Sequence, residues 1–347
     1  IAPLDWAVLA FVGASLMATL FANNRGVAWT EFRTMVAEPV VVYALFRLLP
    51  IRTRDVWRVV DFWMLAGAAV AIIGLVQYFN GVNLITAEGG VARLRSVYGS
   101  PNNVGLYLGR TLPIAVAVAL MGTGRRRRIV YAAAALAMGA ALVLSFSRGA
   151  LLLGMPAALA VILLFWQRRR AAYALIGLAG AGLLALIPLS RNPRFAELGN
   201  LSTGPTFFRL NLWRSTLSMI RDHPLVGVGL DNFLYEYRGR YILPSAWQDP
   251  SLSHAHNWVL DYAARLGLPG LAVAVWLLGV LGRNLWQTAR RAANPNRRAL
   301  AVGLLASLVD FLAHGMVDAS YWFIDLAFVF MLTAGLAQWL TTALDSR

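Results

Sequence analysis

Runs of about twenty mostly apolar residues recur along this chain, and that is the length a helix needs to cross a bilayer. By this measure the sequence predicts about ten transmembrane helices, over 5–22, 34–50, 58–79, 103–121, 129–146, 149–166, 171–189, 257–281, 299–317 and 319–340. Short turns such as Asn23-Asn24-Arg25-Gly26 and Asn294-Pro295-Asn296 separate them. Hydrophobic residues make up 59% of the chain and charged residues 14%, against roughly 25% charged in an ordinary soluble domain. Such a chain cannot cover itself with polar surface, so soluble architectures are excluded. The expectation is an all-α integral membrane protein, with 1–347 forming a single polytopic membrane domain.

Every basic residue is Arg, and the formal net charge is +15. The cations fall in short clusters between apolar runs and form no continuous stripe, which argues against nucleic acid as a partner. One set of connections carries Arg47, Arg52, Arg54 and Arg58, then Arg125 to Arg128, Arg168 to Arg170, and Arg283, Arg290, Arg291, Arg297 and Arg298. The bias of Lys and Arg toward cytoplasmic loops assigns these to the cytoplasm. The outer side then receives 80–102, the Ser147-Arg148-Gly149 turn and the long polar stretch 190–256. Trp213, Trp247, several Tyr and helix-like pieces in that stretch predict a large outer loop folded as a helical cap, which the resemblance given below would place in the periplasm. Without cysteine there is no disulfide framework and no zinc–thiolate site. The chain begins at Ile1, so a native segment is expected ahead of it, and the first apolar run is long enough to span rather than serve as a signal peptide.

An ionisable group at membrane depth is costly and suggests function. Arg148, in Ser145-Phe146-Ser147-Arg148-Gly149, lies at the outer end of two apolar runs. It is either an anion-binding residue in a turn that permits close approach, or an interfacial Arg reaching for water. Arg209 and Trp213 share a helical face, so the indole is placed to stack on the guanidinium; the alternative is a solvated loop Arg. Ser253-His254-Ala255-His256-Asn257 directly precedes the eighth run, and imidazole near its ordinary pKa of about 6.5 is a neutral base at physiological pH. His-x-His also chelates metals, but no Cys lies near and no acidic cluster at suitable spacing completes a tetrahedral set, so no metal is expected. Asp310, His314 and Asp318 are spaced to share one helix face, as an interhelical hydrogen-bond cluster, a carboxylate orienting an imidazole, or a proton relay. Arg93 and Arg95 precede a Gly99-Ser100-Pro101-Asn102 turn that either contacts sugar or phosphate or caps a helix.

His256-Asn257 followed after nine residues by Gly267-Leu268-Pro269-Gly270 resembles the His-Asn-x9-Gly-x-x-Gly signature of the O-antigen ligase/polymerase superfamily. Arg209-x-x-x-Trp213, Ser147-Arg148-Gly149 and the segment from His223-Pro224-Leu225-Val226-Gly227 through Gly229, Asp231, Asn232 and Phe233 resemble it too. The likeness implies a C-type membrane glycosyltransferase (GT-C-like) fold in the bacterial inner (cytoplasmic) membrane, with the active site facing the periplasm. It implies transfer of a glycan from undecaprenyl diphosphate to a hydroxyl of the lipid A core or another glycan acceptor, without metal or other cofactor. By matching position, Arg148 and Arg209 would hold the diphosphate and His256 would be the essential histidine, with His254, Asn257, Arg95 and Asp318 in support. The family usually has more spans than this sequence displays. An O-antigen polymerase or a protein O-oligosaccharyltransferase would use nearly the same chemistry, but the outer loop looks short for a protein acceptor. From a different class, a proton-coupled membrane transporter would use Asp310, His314 and Asp318 as its relay. It calls for inverted halves and interrupted helices, which the sequence does not display.

Overall fold

The computed structural model describes residues 1–86, 90–166, 202–345 and the single positions Tyr173, Gly177 and Gly180. Apart from those three positions, the expected span 171–189 lies outside the described residues, as do Arg168 to Arg170 and 190–201 of the outer loop. In chain order the helices are α1 (Pro3–Leu20), α2 (Arg25–Glu31), α3 (Glu38–Leu48), α4 (Thr53–Phe79), α5 (Pro101–Met121), α6 (Arg125–Leu144) and α7 (Met155–Trp166). They continue with α8 (Gly204–Asp222), α9 (Phe233–Glu236), α10 (Trp258–Arg291), α11 (Pro295–His314) and α12 (Ile324–Asp345). Strands β1 (Leu84–Thr86) and β2 (Ala92–Leu94) make a small antiparallel hairpin with Leu84 opposite Leu94.

Among the described residues six helices are long and apolar enough to cross a membrane: α1, α4, α5, α6, α10 and α12. The chain is therefore an all-α multi-pass membrane protein. The expected runs at 34–50 and 149–166 are short helices, each entered through a π-helical turn, Phe32–Ala37 and Ala150–Gly154. Most of the run at 299–317 lies in α11, whose Arg297, Arg298 and Asp310 keep that helix out of the six.

The chain divides into two compact units, each built from separated stretches. The first comprises Ile1–Leu48, Leu198–Arg283 and Gly315–Gln338, and the second Leu49–Glu197, Asn284–His314 and Trp339–Arg347. In the second unit α5 is buried almost all round and packs along α11. Gly303 permits that approach, since a Cβ there would lie 2.7 Å from the Ile114 Cα. In the first unit the described part of the outer loop is helical. There α8, α9 and the π-helical Tyr237–Tyr241 enclose a core of Leu212, Met219, Val228, Phe233, Tyr237 and Ala264.

One backbone feature of the first unit sets the geometry of α10. Gly267 interrupts the helix at φ 73° and ψ 178°, a conformation essentially reserved for glycine. Two carbonyls lose their helical partners there. Pro269 has no N–H to offer the Arg265 carbonyl, and Leu268 N–H turns instead to Pro224 O at 2.8 Å. The Val228 and Gly229 N–H groups replace them, donating to Ala264 O at 2.7 Å and Arg265 O at 3.2 Å. The approach is backbone to backbone. A Cβ on Gly227 would lie 2.5 Å from Ala264 O, and one on Gly267 would lie 2.5 Å from Leu225 O. The two glycine-containing motifs, distant in sequence, thus interlock as one structural joint. Asn232 extends it, donating to Asn24 O at 3.2 Å and accepting from Asn24 N–H at 2.9 Å.

Candidate active site

Ser253 to Asn257 form the turn that leads into α10. Asn257 caps that helix, its Oδ1 accepting from Leu260 N–H at 3.1 Å, and its Nδ2 donates to Met316 O at 3.1 Å. Trp258 N–H donates to Gly315 O at 2.7 Å, and Trp213 Nε1 on α8 donates to Ala255 O at 2.9 Å. The turn is pinned from two sides. Within it His256 has φ 49°, a left-handed backbone that costs a non-glycine residue about 1–3 kcal/mol and persists only where its surroundings fix it.

The His256 ring then meets a carboxylate. Its Nδ1 lies 3.0 Å from Asp318 Oδ1, which also accepts from Ala319 N–H at 2.9 Å. A carboxylate only accepts, so the proton resides on Nδ1 and Nε2 presents a lone pair. His254 stands against His256 with ring centroids 4.2 Å apart, its Nε2 3.9 Å from the same Asp318 oxygen. Burial pushes the His256 pKa below its ordinary value; His254 and Arg209 push the same way, and Asp318 opposes them. The imidazole is therefore neutral near pH 7, as a general base must be.

The same three side chains bring donor atoms within 4.8 Å of one another, a set able to offer a metal three ligands and leave a fourth position open. The sequence offers no acidic cluster at suitable spacing to complete a tetrahedral set, and in the fold one carboxylate, Asp318, joins the His-x-His pair. Asp318 is 62 positions away, and only the chain's return after α11 brings it to the histidines. The expected face of Asp310, His314 and Asp318 is corrected. Helix α11 ends at His314, so Asp318 leaves the helical register and belongs to the first unit. Asp310 is committed elsewhere, pairing in the second unit with Arg110 of α5. Gly109 and Gly154 leave room for its carboxylate, which a Cβ at either position would overlap.

Of the two arginines assigned to the diphosphate, Arg209 lies on α8 in the same unit as His256, and its charge is felt at that imidazole. Arg214 on the same helix is exposed. Arg148 belongs to the second unit and is 8% exposed, in the turn between α6 and the Ala150–Gly154 π-turn. Ser147 N–H donates to Ser145 Oγ at 3.2 Å, and Gly105 packs against Ser147. Arg95 is half-exposed and reaches Asn83 O at only 3.4 Å. Its neighbour Arg93 is the buried one, donating to Ser145 O at 2.9 Å and Asn102 Oδ1 at 2.8 Å. Arg93 therefore braces the turn that carries Arg148.

A charged hub behind the histidine turn escaped the sequence reading. Arg265 is 3% exposed and donates to both carboxylate oxygens of Glu31 at 2.7 Å. It also reaches Asp261 Oδ1 at 3.2 Å and Ser253 O at 2.9 Å, and stacks over Trp322 at 5.1 Å. Asp261 in turn accepts from Ala255 N–H at 3.4 Å. The signal was present: Asp261 and Arg265 are an ionisable pair at four-residue spacing inside the eighth apolar run, which the cost of charge in lipid singles out.

Residues 133–275 match the family model for O-antigen ligase. That range holds Arg148, Arg209, the histidine turn, the glycine joint and Arg265; Arg95 and Asp318 flank it. No curated protein matches the chain.

Proposed function

We propose that this chain, which carries an O-antigen ligase domain over residues 133–275, is a membrane glycosyltransferase. It transfers a glycan from undecaprenyl diphosphate to a hydroxyl of the lipid A core at the periplasmic face of the inner membrane. The observation that supports this reading is the His256–Asp318 pair, Nδ1 3.0 Å from Oδ1, which leaves Nε2 available as the proposed base. The acceptor O–H gives its proton to Nε2 while the oxygen attacks the anomeric carbon. The carbon–oxygen bond to the diphosphate breaks on the opposite face, inverting that centre. Arg148 and Arg209 are assigned to the departing diphosphate, where guanidinium forks make paired, charge-assisted hydrogen bonds to phosphate oxygens. Fixed cations of this kind can replace a metal at a leaving group and lower the barrier by several kcal/mol in a dry site.

The test is product formation by purified protein given a lipid-diphosphate glycan with lipid A core, with a second donor, or with a peptide, each with and without chelator. A lipid A core conjugate that still forms in chelator supports the proposal. Product only with the second donor or the peptide would instead identify a polymerase or a protein O-oligosaccharyltransferase, and loss of product in chelator would assign His254, His256 and Asp318 to a metal. Arg148→Lys and Arg209→Lys keep the charge and lose the fork, so each should reduce turnover by about 10²-fold or more. Activity within a few-fold of wild type would mean that plain electrostatic attraction suffices.

The pH profile follows from the facing groups. The base is active when deprotonated and its pKa lies below the ordinary value, so turnover should rise with pH through a midpoint below about 6.5 and stay level above neutrality. Asp318 raises that pKa, while His254 and Arg209 lower it. Asp318→Asn should therefore shift the acid limb to still lower pH and reduce the plateau, because the correct tautomer is no longer enforced. An unmoved limb would exclude His256 as the titrating base.

A further inference from the structure

In the second unit a cavity of about 540 Å³ opens between α4 and α6. Its lining changes character along both helices. On α6 it passes from Arg126 and Arg127 to Val130 and Ala134, and on α4 from Asp61 to Leu65 and Ala68. Each passage covers two helical turns, about 10 Å. One end is cationic and the other apolar, in a groove whose apolar walls include Leu65 at 62% and Val130 at 58% exposure. The cationic end is also ordered. Arg127 donates to Asp61 at 3.2 Å and stacks over Trp57 at 4.4 Å, and Tyr131 donates to the other Asp61 oxygen at 2.6 Å. Arg126 is exposed and has no hydrogen-bond or ion-pair partner among the described residues.

We propose that this groove is a binding site for one anionic phospholipid, its phosphate on Arg126 and the rim formed by Arg127, and an acyl chain along Leu65, Ala68, Val130 and Ala134. Charge complementarity selects the occupant. The exposed Arg125 precedes the rim on α6, Arg128 beyond it donates to Ala119 O at 2.8 Å, and the only carboxylate lining the described groove, Asp61, is already paired with Arg127. A zwitterionic lipid offers an ammonium that this rim repels, and a free phosphate leaves the apolar length unused. Such basic pockets beside membrane-spanning helices recognise anionic head groups. The bound lipid would bridge α4 and α6 and is independent of the reaction proposed above.

The test is titration of the purified full chain in detergent with phosphatidylglycerol, with phosphatidylethanolamine of the same acyl chains, and with glycerol phosphate, read by native mass spectrometry. The expected result is one phosphatidylglycerol bound at least tenfold more tightly than phosphatidylethanolamine, with no comparable binding of glycerol phosphate. Arg126→Gln should weaken phosphatidylglycerol about fivefold, the effect of one basic residue at a membrane surface, and Ala134→Trp should fill the groove and displace it. Equal affinity for the two lipids, equal binding of glycerol phosphate, or unchanged affinity in Arg126→Gln would each overturn the proposal. Because Arg126 is exposed, its substitution leaves the fold intact, and the result stands even where Ala134→Trp does not fold.

Discussion

Replacing His256 by Asn should cut turnover by about 10²–10⁴-fold, the usual range for removing a general base, while donor binding changes by no more than a few-fold. Asn is the more informative substitution because of the backbone. His256 sits at φ 49°, where Asn is tolerated better than other non-glycine residues. His256→Ala removes the base too, but keeps the left-handed strain without any side chain to bond locally. The expected pattern is that both variants lose turnover equally while Asn keeps the thermal stability of wild type. Equilibrium binding of a lipid-diphosphate glycan, measured beside the rate, separates the roles. A variant that binds donor normally and does not turn it over has lost proton transfer. A variant that no longer binds donor would show that the imidazole recognises substrate, and the base assignment would be wrong.

The same residues show how far sequence can be read here and where it stops. Apolar run length made the all-helical membrane class plain, because a bilayer leaves little alternative to satisfied helices. At 34–50 and 149–166 the helical stretches contain π-helical turns, which change neither hydrophobicity nor length and so leave no mark on the pattern. Local chemistry was legible as well: His254, His256 and Asn257 stand together in the chain and in the turn. What sequence could not supply was the pairing across long separations. By sequence Asp318 is both a support for His256 and a sharer of one helix face with Asp310 and His314; α11 ends at His314, so the shared face is absent, while the carboxylate does stand against the histidines. The glycine motifs were recognised as a resemblance, but their physical purpose depends on which carbonyls the break at Gly267 exposes. Arg265 was missed for a different reason. The criterion that found Arg148 applies equally to an Arg inside an apolar run, and Asp261 one turn earlier was the clue to its partner.

Arg265 therefore gives the other large expected effect, and it differs in kind from that of His256. Removing one member of a buried ionic cluster leaves its partners as uncompensated charge, at a typical loss of about 3–5 kcal/mol. Arg265→Met strands Glu31 and Asp261 together and removes the bond to Ser253 O that tethers the histidine turn. Its melting temperature should fall by on the order of 10 °C, and turnover should fall with it through a turn that no longer holds its geometry. Arg265→Lys keeps one charge but cannot reach both Glu31 oxygens, Asp261 and Ser253 O at once, so an intermediate loss is expected. The double variant Glu31→Gln with Arg265→Met removes one of the stranded charges and should recover part of the stability lost by Arg265→Met alone. The coupling between the two sites, measured as a double-mutant cycle, should fall in the range of about 0.5–3 kcal/mol found for residues in direct contact. Additive losses, or a single-variant loss below about 1 kcal/mol, would mean that Arg265 is not the brace behind the turn. The two histidines would then owe their position to Trp213, Asn257, Asp318 and the backbone bond to Gly315.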